Sequence, residues 1–238
     1  MKKKIVTLCL VAALAATAVV GGTLAYFTDT DTADNVFTTG NVDIDLVETF
    51  DETNATLMPG IDIQKVINVK NEGSEEAYVR IHLAIPSMLD SGSEDEPEFA
   101  AYNNTLHWNF SKESLADGEW NWHKTNVDGS TYAGYPGNGG DWNMYQREVD
   151  GILYNVYVAT YETALAEDVT TATDAIYKVF LDTKVTNEDM AVIIEELGEK
   201  PQILVVAEGG QKAGFEDAYT ALNTQFGVPG TYNPWAEE

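Results

Sequence analysis

His82, His107 and His123 are the only histidines in the chain, and metal-dependent chemistry would have to start from them. A zinc peptidase commonly sets two histidines one helical turn apart with a glutamate between them, as His-Glu-x-x-His. No such motif occurs. His82 sits in a strand-like run beside Arg80, while His107 and His123 each adjoin a tryptophan, Trp108 and Trp122. The candidate metal ligands are therefore His82, His107 and His123, gathered across strands; surface histidines or histidines with ordinary hydrogen-bond partners are the alternative. Covalent catalysis has less to build on. There is no Gly-x-Ser-x-Gly elbow, and the single cysteine, Cys9, lies in the apolar leader. Carboxylate pairs are too abundant among 39 acids to single one out. Asp29-x-Asp31 and Asp43-x-Asp45 lack the glycine and closing glutamate of an EF-hand loop. The expectation is no catalytic residue and no cofactor, with loosely bound calcium as the alternative.

A second constellation is aromatic. Trp108, Trp120, Trp122 and Trp142 lie with Tyr102, Tyr132, Tyr135 and Tyr145 among many Asn and Gly residues. Sugar-binding surfaces combine rings and amides in this way. Core strands do as well, and Trp120 and Trp122 alternate with polar neighbours as inward-facing positions would. Burial in the core is the expectation, and a carbohydrate-binding surface is the alternative.

The elements that must position these residues are mostly strands. Val42, Ile44 and Leu46 alternate with Asp43 and Asp45, and Ile61, Ile63, Ile67 and Val69 continue that alternation. Asn71-Glu72-Gly73-Ser74 reads as a hairpin turn. After it Ala77, Val79, Ile81, Leu83 and Ile85 share one face, with Tyr78, Arg80 and His82 on the other. Short strands are expected at 106–110 and 119–123, and an Asp150-Gly151 hairpin joins 142–149 to 152–160. Further strands fall at 176–181 and 202–207. Thr186-x-x-Asp189 opens a helix with an apolar stripe of Met190, Ile193, Ile194 and Leu197, ended by Gly198. Phe215, Ala218, Tyr219, Leu222 and Phe226 mark a second helix, and both are expected to pack on a sandwich edge.

The N-terminus carries a different kind of signal. Lys2, Lys3 and Lys4 precede an uncharged run from Ile5 to Val20, followed by Gly21, Gly22, Thr23, Leu24 and Ala25. That is the layout of a secretory signal peptide. The junction "GGTLAYFTDTDTADNVFTTGNVDIDL" resembles the start of the TasA/camelysin family, exported proteins cut by a SipW-type signal peptidase. The segments "MPGIDIQKVINVKNEGSEEAYVRIHLAI", "YNVYVATYETAL" and "ILVVAEGGQKAGFEDAYTALNTQFG" are similar to that family too.

The resemblance implies cleavage between Ala25 and Tyr26. It also implies an all-β, jelly-roll-like antiparallel β-sandwich with a few peripheral helices. The expected division is a signal peptide at 1–25, a flexible arm at 26–40, the sandwich at 41–228 and a short acidic tail at 229–238. In the fibre-forming relatives such an arm adds as a strand to the next subunit, which points to Tyr26, Phe27, Val36 and Phe37 as strand-donor residues. Camelysin itself implies a surface metallopeptidase as the alternative.

Charge narrows the partners. The formal charge of −26 becomes −29 once Lys2, Lys3 and Lys4 leave with the leader. Such a surface argues against nucleic acid, whose phosphates need a basic partner. It leaves copies of the chain itself, the signal peptidase, and other matrix proteins or polysaccharide, with the membrane met only by the precursor. The expected setting is secreted, on the cell surface or in an extracellular matrix, and the expected role is structural.

Overall fold

The computed structural model describes residues 40–51, 56–90, 105–109, 120–122, 143–198 and 201–236. Nine strands and two helices occur there in the order β1 (Ile44–Phe50), β2 (Ile63–Asn71), β3 (Ala77–Pro86), β4 (Leu106–Asn109), β5 (Trp120–Asn121), β6 (Met144–Val149), β7 (Ile152–Leu165), β8 (Ile176–Leu181), α1 (Asn187–Leu197), β9 (Leu204–Gln211) and α2 (Ala218–Phe226). They form two antiparallel sheets. Sheet A runs β1-β2-β8-β4, and sheet B runs β5-β7-β3-β9 with β6 also on β7. β5 and β6 share the edge of β7 that β3 leaves free, one opposite Thr160 and Tyr161 and the other opposite Ile152–Tyr157.

The nesting follows from the crossings. β2 neighbours β8 in sheet A, and their chain neighbours β3 and β7 pair in sheet B. Two adjacent strands thus leave one sheet and enter the other side by side, the signature of a jelly roll. The all-β sandwich expected from the sequence is what the chain forms.

Period-two alternation fills the space between the sheets. Ile67 and Val69 from β2, Val79, Ile81, Leu83 and Ile85 from β3, and Val179 and Leu181 from β8 meet in one core. Each such side chain contributes about 1.5–3 kcal/mol on leaving water. Trp108 and Trp122 pack 5.0 Å apart between ring centres, and Trp108 lies 5.1 Å from Tyr157. With Trp120 they are fully buried, so these three tryptophans are core, not a sugar platform. Trp142, Tyr102, Tyr132 and Tyr135 lie outside the described residues.

α1 starts at the expected capping box, Thr186 and Asp189 each bonding the other's backbone N–H, which stabilises a helix by about 1 kcal/mol. Its Ile193 closes the core. α2 departs from expectation. It lies across the outer face of sheet B, where Ala218, Ala221 and Leu222 bury Tyr78 of β3. β3 is consequently covered on both faces, and all ten of its residues are buried.

Candidate functional site

The N-terminal segment enters the sandwich at a fixed point. Asn71 organises the β2–β3 turn from inside: its side-chain amide donates to Glu75 O (2.8 Å) and Leu165 O (2.9 Å), and its Oδ1 accepts from Gly73 N–H (3.0 Å). The entering chain is tied to that turn. Asp43 O accepts from Glu72 N–H at 2.7 Å and Gly73 N–H at 3.0 Å, and Asn41 O accepts from Glu75 N–H at 3.2 Å. Asn41 and Ser74 also bond each other twice through backbone N–H and side-chain oxygen. A β-carbon at Gly73 would sit 2.5 Å from Asn41 O and Asp43 N, so this approach requires glycine there.

β1 follows at once as an edge strand, paired with β2 alone among the described residues. Val47 and Phe50 on it are exposed. Lys65 bonds Glu48 and lies 4.8 Å over the Phe50 ring. An edge of this kind presents unpaired backbone groups to a further strand. Ala25, Tyr26, Phe27, Val36 and Phe37, the expected cleavage and strand-donor residues, lie outside the described residues.

The histidines do not converge. His107 alternates with the core residues Leu106 and Trp108, so it faces outward from sheet A. It stacks on Phe180 at 4.9 Å and bonds Asp182 Oδ2 through Nε2 at 2.9 Å. Asp182 is held below the usual carboxylate range by the Lys184 backbone N–H and, beyond it, by His107. His82 faces outward from sheet B, on the opposite side of the sandwich. His123 lies outside the described residues. A zinc site joining His82 and His107 is ruled out by this geometry. Among the described residues no three His, Cys, Asp or Glu side chains cluster as a metal would need.

His82 belongs instead to a buried charge network. Arg80 bonds Glu208 Oε2 through Nε (2.5 Å), Asn223 Oδ1 through Nη1 (2.8 Å), and both Gly227 O (2.9 Å) and the Tyr232 hydroxyl (2.7 Å) through Nη2. Tyr232 donates to both Glu208 oxygens, at 2.6 and 2.8 Å. His82 Nε2 meets Glu208 Oε2 at 3.2 Å and Nδ1 meets the Tyr145 hydroxyl at 3.1 Å. Those partners assign the proton to Nε2, leaving Nδ1 to accept from Tyr145.

Burial alone would raise the Glu208 carboxyl. The His82 N–H, the Arg80 charge and the Tyr232 hydroxyl outweigh it and hold the group at about 2. Burial of the ring lowers His82, Glu208 pulls it back, and Arg80 lowers it further; the net direction is down. At neutral pH the network is one cation, one anion and a neutral imidazole.

Residues 229–236, expected to be a tail, supply part of this network through Tyr232 and pack Trp235 against the cluster of Tyr145, Val156 and Val158. The sequence did hold one signal for it: Glu208 is a lone charge in the otherwise apolar run Ile203–Gly210.

Residues 1–114 match the family model described as camelysin metallo-endopeptidase. Over that stretch the chain is similar to the TasA/camelysin family. The match takes in the N-terminal apolar run, the chain entry at Asn41, the β2–β3 turn and both Arg80 and His82. The match supports a TasA/camelysin-type cell-surface protein. The described histidines do not form a site for the metal that the description implies. No helix among the described residues is long and apolar enough to cross a membrane. No curated protein matches the chain.

Proposed function

We propose that this is a structural protein of the cell surface or extracellular matrix, secreted after cleavage between Ala25 and Tyr26 and assembled with its own copies into fibres. Each copy gives its segment 26–40 as a strand to the sandwich of the next. One observation carries this reading. Asn41 and Asp43 are clamped to the β2–β3 turn, so the segment ahead of them joins at a fixed point next to an edge strand whose other side is unpaired among the described residues. Main-chain hydrogen bonds would supply the affinity of such an added strand, and alternate side chains its register. Matrix polysaccharide or other matrix proteins are the further partners, no cofactor is required, with loosely bound calcium as the alternative, and peptidase activity belongs to the second reading, which the camelysin description favours.

The deciding experiment compares the mature chain from Tyr26 with a version beginning at Gly40, by light scattering and electron microscopy. Fibres from the first and folded monomers from the second support strand donation. Identical fibres from both would sink it. Chelator-sensitive casein cleavage that is lost on changing a histidine would favour the peptidase.

A further inference from the structure

The segment after α2, residues 227–236, is held on sheet B by side chains. Apart from Gly227 N–H, which caps α2 on Asn223 O at 3.0 Å, its backbone hydrogen bonds are turns within itself, Thr231 N–H to Val228 O at 3.1 Å and Ala236 N–H to Asn233 O at 3.3 Å. Among the described residues it makes no ladder with any strand. Arg80 takes Gly227 O and the Tyr232 hydroxyl. Arg147 takes Gly230 O at 3.2 Å and Tyr232 O at 2.5 Å. Tyr232 bonds Glu208, and Trp235 sets its ring edgewise to His82 at 6.3 Å. Gly230 lies so close to Tyr145 that a β-carbon would stand 3.2 Å from the ring.

We propose that residues 227–236 are an acid-released strap, seated by the Arg80–Glu208–His82 network and freed when His82 takes up a proton, while the jelly roll beneath stays folded. The groups around the His82 ring decide the direction. Arg80 shares its strand, Glu208 faces it from β9, Tyr145 from β6, and Tyr232 and Trp235 from the strap. Arg147 stands beyond Tyr145, 5.9 Å from that ring, and Tyr154 of β7 lies in the same apolar cluster.

Glu208 is the only anion among them and is already paired with Arg80. A proton on His82 sets a second buried cation against one carboxylate and removes the acceptor that Tyr145 uses. With the strap lifted, the ring meets water and holds its proton normally. Protons therefore bind the released state better. The seated state is favoured above the ordinary histidine range and loses ground as pH falls through and below it. Release uncovers Tyr145, Val156, Val158 and Leu204.

Hydrogen exchange of the mature chain between pH 7.5 and 4.5, corrected for intrinsic rates, tests this. Protection of 228–236 should fall at least tenfold as pH drops below about 6, while β3 and β7 keep theirs. His82→Gln, which cannot take a proton, should keep the strap protected at pH 5. Should that variant not fold, the His82 ring is titrated by NMR in the unchanged protein, and its midpoint must coincide with strap release. Unchanged strap protection down to pH 4.5 overturns the proposal. So does loss together with β3 and β7, or a ring midpoint away from the transition.

Discussion

Ile44 of β1 rests on Gly209 of β9, so that any β-carbon at position 209 would stand 2.5 Å from Ile44 Cγ2. The edge strands of the two sheets thus meet at this point. Gly209→Ala should force β1 outward and cost about 1–3 kcal/mol, read as a lower urea midpoint with an unchanged m-value. Gly151→Ala, in the β6–β7 turn with φ at +83° but open space around it, should cost about 1 kcal/mol from backbone strain alone.

The Arg80–Glu208 pair is expected to be far more sensitive to single than to double replacement. Glu208→Gln should destabilise by about 3–5 kcal/mol, because it leaves Arg80 buried and uncompensated. Arg80→Met with Glu208→Leu should recover much of that loss. The acid limb of stability has a defined sign. A carboxyl held at about 2 in the folded chain contributes stability above its ordinary value near 4.3. That contribution, on the order of 3 kcal/mol, is lost as pH falls from about 4.5 to 2 and is absent in Glu208→Gln. Urea melts of both proteins across that range check it.

Much of this architecture was legible in the residues. β2, β3 and the Asp150-Gly151 hairpin follow from period two, and α1 follows from its capping box. The alternation of Trp120 and Trp122 with polar neighbours marked core positions. What could not be read was the covering of the outer face of β3. Alternation assigns Arg80 and His82 to a polar face, which is right, but it says nothing about what lies over that face. The cover comes from α2 and from residues 227–236, whose Gly, Pro and Asn content shows no period. The same gap let His82 and His107 stand as partners, since strand patterns do not reveal which sheet a strand joins.

Peptidase activity should be absent from purified mature protein. Casein digestion with and without a chelator is the measurement, run also on His107→Ala, whose ring lies buried against Phe180 on the outer face of sheet A. His107→Ala should keep the fold but cost about 1–3 kcal/mol, because it removes a buried ring stacked on Phe180 and its bond to Asp182. His82→Ala should cost about 2–4 kcal/mol, through the cavity left behind and the hydrogen bonds that Tyr145 and Glu208 lose.

Val47→Lys should leave folding within about 0.5 kcal/mol, because the side chain is exposed, yet slow assembly by placing a charge on the β1 edge. Turbidity and microscopy measure the second effect. Assembly of the unchanged mature chain should speed up as salt rises or pH falls toward the carboxylate range, since its surface charge repels like copies.

Mature secreted protein should begin at Tyr26, as N-terminal mass spectrometry would show. Retention of residues 1–25 would instead indicate a membrane-anchored form.

The bond between Arg80 and Tyr232 spans 152 positions, which makes completion of the fold a matter of time as well as energy. At about 5–20 residues per second, a ribosome delivers Arg80 roughly 8–30 s before Tyr232. Through most of that interval β3 carries a guanidinium and an imidazole without Glu208, and throughout it without Tyr232 and Trp235 to meet them. β3 does not pair with β2, which joins the other sheet, and its outer face stays hydrated until the distant end arrives. A nascent chain in that condition is unfinished, its strands made before the residues that cover them.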